Sequence, residues 1–276
     1  MTTRKKNDSV ELPEVSVSDD GEVRHLHLGT PWIQGSMRLK EPFALELEYV
    51  QRMMAWLLFV DPASVTKRYA VQLGLGAGAI TKFCHKKLRM QTTAIELNPQ
   101  VIAVCHSWFK LPPNGARLQV VLADAAEEIR RPGWEDQVDA LAVDLYDHDA
   151  AAPVLDSAEF YADCRALLTE DGCMTVKLCG RSSSYEKSLA KMAEAFGEDA
   201  LRAFKPTREG NTVVLAQRRP RVLQGTELDL ACDQVQARWD LNTTRWAKVF
   251  VPARDAEAGR KTARSKVVRI DRSAAE

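Results

Sequence analysis

The chain has 276 residues, in which 38 Lys and Arg balance 38 Asp and Glu, and 45% of the residues are hydrophobic. That length suits one large α/β domain with small additions at either end. The zero formal charge excludes the bulk field that would hold nucleic acid or an anionic membrane surface, and the hydrophobic content excludes global disorder.

Residues 1–20 are polar and charged, so ordering them would bury too little apolar surface to offset the entropy lost, and a flexible arm is expected. They also lack the apolar run of a signal peptide, and no stretch of the chain reaches membrane-span length. The six cysteines form no C-x-x-C pair and read as free thiols. The expectation is a cytoplasmic protein without nucleic-acid or membrane partners.

A unit over 21–62 follows. Residues 22–28 alternate in character, Gly29-Thr30-Pro31 breaks the run and 32–39 resume it, which predicts a β-hairpin. Leu45, Tyr49, Met53, Trp56 and Leu57 recur at three to four residue spacing and predict an amphipathic helix over 44–59, with Tyr49 and Trp56 on its core face.

Over 63–252 strands and helices alternate. Strands are expected at 69–73, 92–96, 118–122, 138–144 and 173–178, with helices at 79–87, 99–108, 126–130, 157–168 and 184–196. Parallel neighbours need crossovers, and right-handed crossovers place helices on both faces. The expected fold is therefore a doubly wound, mostly parallel sheet, extended to seven strands by 200–204 and 212–216. Residues 253–276 are mostly charged or small and are expected to form a flexible tail.

Four features fall at carboxyl ends of the predicted strands, where open α/β sheets build their sites. Gly74, Gly76 and Gly78 lie in a strand-to-helix turn whose backbone can approach a ligand closely. Glu96 ends the second strand, at the distance from the glycines where an acid accepts hydrogen bonds from a ribose. Asp124-Ala125 ends the third strand, and its carboxylate can accept an adenine amino group. A dehydrogenase reading of Gly74-x-Gly76 would leave Asp124 and the fourth loop without roles, so a nucleoside fits better.

The fourth strand runs into Asp144-Leu145-Tyr146-Asp147-His148-Asp149, which brings carboxylates, a phenol and an imidazole into one short loop suited to a cation. An alkylamine titrates near about 10.4 and an aspartate near about 3.9, so Asp144 is a weak base there. Orienting the amine and stabilising developing positive charge should outweigh basicity. His25, His27, His85 and His106 have no metal-ligand spacing, and no metal is expected.

In order and spacing, Ile33-Gln34-Gly35-Ser36-Met37-Arg38, Leu73-Gly74-Leu75-Gly76-Ala77-Gly78, Ile95-Glu96, Ala123-Asp124-Ala125 and Asp144-Leu145-Tyr146-Asp147 resemble the polyamine aminopropyltransferase (spermidine synthase) family over residues 22–218. The resemblance implies a methyltransferase-like fold, decarboxylated S-adenosylmethionine as co-substrate, an amine acceptor and commonly a homodimer. By position, Asp144 resembles the proton acceptor, Asp147 an amine-binding acid, Glu96 the ribose ligand, Asp124 the adenine ligand and Gln34 a donor-site residue; Tyr146 lies within the acceptor loop.

The chain also departs from that pattern. Where the family's glycine loop carries an aspartate that grips the aminopropyl amine, this chain has Ala77, and Gln72 stands where many methyltransferases carry an acid. The family's tyrosine and glutamine after the hairpin find no assigned counterparts, Tyr49 and Gln51 being offset. Methyl transfer from S-adenosylmethionine, or a non-catalytic relative, therefore stands as the alternative to aminopropyl transfer.

Overall fold

The computed structural model describes residues 12–145, 155–178 and 182–256. Its first unit is a three-stranded antiparallel sheet of β1 (Val15–Asp20), β2 (Val23–Leu28) and β3 (Gly35–Arg38), with β2 in the middle. The flexible arm expected over 1–20 is thus corrected for 15–20. Val15 and Val17 alternate with serines, Gly21-Glu22 supplies the turn, and Val15–Asp20 pairs residue by residue with β2. Gly21 takes φ +59°, a conformation open to glycine.

The expected long helix after the hairpin is broken into α1 (Glu48–Arg52) and a 3-10 turn over Ala55–Phe59. Buried residues lie all along this stretch, from Tyr49 and Val50 through Met53 to Leu58, so the segment threads the core and presents no single wet face.

There follow β4 (Tyr69–Leu73), α2 (Ala79–Lys82), β5 (Gln91–Glu96), α3 (Pro99–Trp108), β6 (Leu118–Leu122), α4 (Ala125–Glu128), β7 (Val138–Val143), α5 (Ala158–Leu167), β8 (Leu168–Leu178), α6 (Ser182–Phe196), β9 (Leu201–Phe204) and β10 (Thr212–Gln217). Residues beyond these, which carried no predicted element, form α7 (Gly225–Trp239), α8 (Trp246–Val249) and β11 (Phe250–Pro252).

The main sheet has eight strands, not seven, in the order β11-β9-β10-β8-β7-β4-β5-β6. The five strands from β4 to β8 pair in parallel, and β10, β9 and β11 add antiparallel. The extra strand forms because Phe250 brings its ring to 4.8 Å from that of Phe204, burying an aromatic pair at the edge. The expectation of a flexible tail is corrected for 253–256: Ala253 and Ala256 are buried in the core, and the Tyr185 hydroxyl donates to the Ala253 carbonyl at 2.9 Å.

Alternation along the strands sends side chains to both faces, as in Ala70 and Val71 of β4, which join different clusters. One cluster packs α1, α7 and α8 on the sheet and another packs α5 and α6 on the opposite face. A third, with Leu26, Met37, Leu75, Ala77 and Phe109, lies beneath the three-stranded unit and fastens it to the start of the α/β core. Among the described residues no helix is long and apolar enough to cross a membrane.

Candidate active site

The chain turns back at β4. From it the sheet grows through β5 and β6 on one side and through β7 and β8 on the other, so a crevice opens at the carboxyl edge between β4 and β7. The register then decides which residues meet. Leu73 pairs with Ile95 and with Val143, and Val143 pairs with Val176, so the next residues along, Gly74, Glu96, Asp144 and Lys177, stand side by side along the edge.

Gly74, Gly76 and Gly78 all have positive φ, at 83°, 52° and 67°. At Gly74 the requirement is also spatial, because a Cβ there would lie 2.4 Å from the Asp144 carbonyl oxygen. Gln72 staples this loop to the helix behind it. Its buried amide donates to the Gly74 carbonyl at 2.6 Å, and its oxygen accepts from the Thr81 amide at 3.0 Å and the Thr81 hydroxyl at 2.6 Å. The position that lacks the methyltransferase acid thus holds the loop's shape.

Glu96 accepts from the Leu75 amide and the Asn98 amide, both at 2.8 Å, and fixes the loop from the other side. Burial pushes its carboxyl above the usual range, against the lowering effect of those amides. Asp124 accepts from the Glu127 amide at 3.1 Å as the N-cap of α4, whose first residue, Ala125, is buried. Gln34 precedes β3, and its carbonyl oxygen faces Gly76. The neighbouring Gly35 lies so close to Ala77 that a Cβ there would be 2.7 Å from both the Ala77 nitrogen and Cβ. The three-stranded unit therefore roofs the glycine loop.

Asp144 follows β7, its amide donating to the Leu73 carbonyl at 3.0 Å. Two residues to which the sequence reading assigned no role in the site converge on its carboxylate. The Tyr49 hydroxyl donates to Oδ2 at 3.2 Å, and Lys177 Nζ lies 3.3 Å from Oδ1 and 4.8 Å from the centre of the Tyr49 ring. Tyr49 is buried in the core, as its helical spacing predicted, yet its hydroxyl also reaches the site. Gln51 serves structure: it donates to the Leu45 carbonyl and accepts from the Asn242 amide. Tyr146 and Asp147 lie outside the described residues.

No protein-family model matches the chain. The polyamine aminopropyltransferase of Neisseria meningitidis serogroup A (strain Z2491) is 31% identical over 236 residues, covering 85% of this chain and 88% of that one. The chain belongs to the polyamine aminopropyltransferase family. As such it is a transferase, and the fold agrees: a probable spermidine synthase from Corynebacterium glutamicum superposes with a TM-score of 0.70 at 16% identity, over 94% of either chain. Human methyltransferase-like protein 13, solved with SAH, gives a TM-score of 0.62 at 21% identity over 71% of this chain and 93% of that one. In this aminopropyltransferase-family chain, the glycine loop, Glu96, Asp124 and Asp144 all lie at one edge of the sheet.

Proposed function

We propose that this transferase moves the aminopropyl group of decarboxylated S-adenosylmethionine to the nitrogen of a polyamine-type amine, at the crevice between Gly74 and Asp144. The observation that carries the reading is the Asp144 carboxylate, held by Tyr49 and Lys177 where the glycine-loop backbone leaves no room for a side chain. It puts an acceptor of positive charge directly against a nucleoside-type loop.

In this reading Glu96 accepts from the ribose hydroxyls through lone pairs left by its two amide contacts, and Asp124 and Ala125 border the adenine. Gln34, at the edge of the roof, contacts the donor. The amine nitrogen uses its lone pair to attack the carbon bonded to the sulfonium, and the C–S electron pair stays on sulfur, which leaves as the neutral thioether of methylthioadenosine. The new ammonium sheds a proton towards Asp144, whose charge stabilises the transition state as positive charge moves from sulfur to nitrogen. Asp147 and Tyr146 would meet the remainder of the amine.

Ala77 favours a second reading, methyl transfer from S-adenosylmethionine. It is buried against Gly35 and offers no carboxylate to the aminopropyl amine. Incubation with each donor and an amine separates the two, since aminopropyl transfer releases methylthioadenosine and methyl transfer releases S-adenosylhomocysteine. For the first reading, Asp144→Asn is expected to lower kcat at least a hundredfold while donor Kd changes less than about threefold, as for a group that acts mainly in the transition state. S-adenosylhomocysteine as the product, or equal losses in kcat and donor affinity, would overturn it.

A further inference from the structure

An alkylammonium is recognised by two things, a carboxylate and an aromatic face. The site offers both, at Asp144 and Tyr49, and the chain has already turned both towards a cation of its own. Lys177 Nζ stands 3.3 Å from Asp144 Oδ1 and 4.8 Å from the Tyr49 ring centre, while the same tyrosine's hydroxyl takes Oδ2. The pair is poorly hydrated, with the Lys177 side chain 8% and the Asp144 side chain 15% exposed, so water screens little of the field between them. Register fixes the arrangement: β7 and β8 run parallel with Val143 opposite Val176, which leaves Asp144 and Lys177 as the next residues on neighbouring strands.

We propose that Lys177 is a specificity-determining residue whose ammonium fills the cation position at Asp144, so that an acceptor's attacking nitrogen binds there as the neutral amine. A second ammonium at Asp144 would be repelled by Lys177, and the carboxylate beside Lys177 carries no net excess of charge to repay that repulsion. A neutral amine, by contrast, can donate a hydrogen bond to Asp144 and keep its lone pair for attack. Lys177 therefore weakens the binding of dications while favouring the nucleophilic form of the nitrogen. The inference rests on the amine-acceptor reading of the site.

The test is calorimetric titration of 1,4-diaminobutane into the wild type, Lys177→Met, Lys177→Gln and Lys177→Arg, each saturated with methylthioadenosine at neutral pH, with methylthioadenosine affinity as the control for an intact site. Removing the charge in Lys177→Met and Lys177→Gln is expected to tighten diamine binding at least tenfold and to lower kcat, whereas Lys177→Arg stays within about threefold of the wild type. Unchanged or weaker diamine binding in both neutral variants overturns the proposal, and so does loss of methylthioadenosine binding in both, which would make Lys177 a support of the site's structure. Failure of the wild type to release methylthioadenosine in turnover removes aminopropyl transfer, while the diamine comparison still decides the role of Lys177.

Discussion

Tyr49 shows how one side chain can serve the core and the site together. Its ring is buried among Met53, Trp56 and their neighbours, and its hydroxyl spans 95 positions of sequence to reach Asp144. Tyr49→Phe keeps the ring and removes the O–H. Steady-state kinetics should show kcat/KM for the amine lowered by about tenfold, the effect of one hydrogen bond to a charged group at about 1.5 kcal/mol, with donor affinity unchanged. That Glu96, Asp124 and Asp144 come together at the carboxyl edge of the sheet was legible because each closes an apolar strand, where a carboxylate stands out. The contacts of Tyr49, Gln72 and Lys177 were not: helical periodicity assigns Tyr49 to the core, Gln72 registers only as the place of a missing acid, and Lys177 lies within a buried strand. Their partners come from register and from distant segments, which spacing along one chain does not encode.

Among elements, the alternating strands and helices of the α/β core were readable from periodicity, and the placing of helices on both faces of the sheet followed from right-handed crossovers. What escaped were elements whose formation depends on a neighbour. Strand β1 exists because β2 offers a free edge, and α1 stops after Arg52 because Met53 turns its carbonyl to the Thr175 hydroxyl of β8 at 3.0 Å. The contact of β3 with the glycine loop is of the same kind. Gly35→Ala would bring a Cβ to 2.7 Å from the Ala77 nitrogen, a backbone atom that cannot swing aside. Overpacking of this sort costs about 1–3 kcal/mol, so denaturant titration should show a loss of that size. Calorimetry should show weakened methylthioadenosine binding, since the roof must lift.

Across the whole molecule, stability depends on how its buried charges are met. Lys82 is 1% exposed and donates to the Phe109 carbonyl at 2.6 Å, tying the helix behind the glycine loop to the end of α3. Burial pulls its ammonium down to about 8. Below that value the folded and unfolded chains both carry the proton, and the cost of burying the charge is constant. Between about 8 and the ordinary lysine value near 10.5 the unfolded chain holds more protons, so the Lys82 contribution to stability rises with pH, by about 3 kcal/mol over the window. Burial pushes the thiols of Cys84, Cys105 and Cys173 up to about 12, which acts in the opposite sense above pH 9. Comparing the wild type with Lys82→Met cancels the greater part of the thiol effect. The stability difference between them should move in favour of the wild type as pH climbs from 8 to 10.5, and a flat difference would remove Lys82 as its source.

The three-stranded unit also has a consequence for the order in which the chain becomes folded. The fully buried apolar side chains it contributes, Leu26 and Met37, are packed with Leu75, Ala77, Phe109 and Leu111, all later in the sequence. On the ribosome, β2 and β3 can pair as soon as they emerge, but their inner face stays bare until the segment through Leu111 has followed and folded beneath it. The hairpin is thus made ahead of the surface that seals it, and the glycine loop gains its roof only when the segment through Leu111 has folded into place.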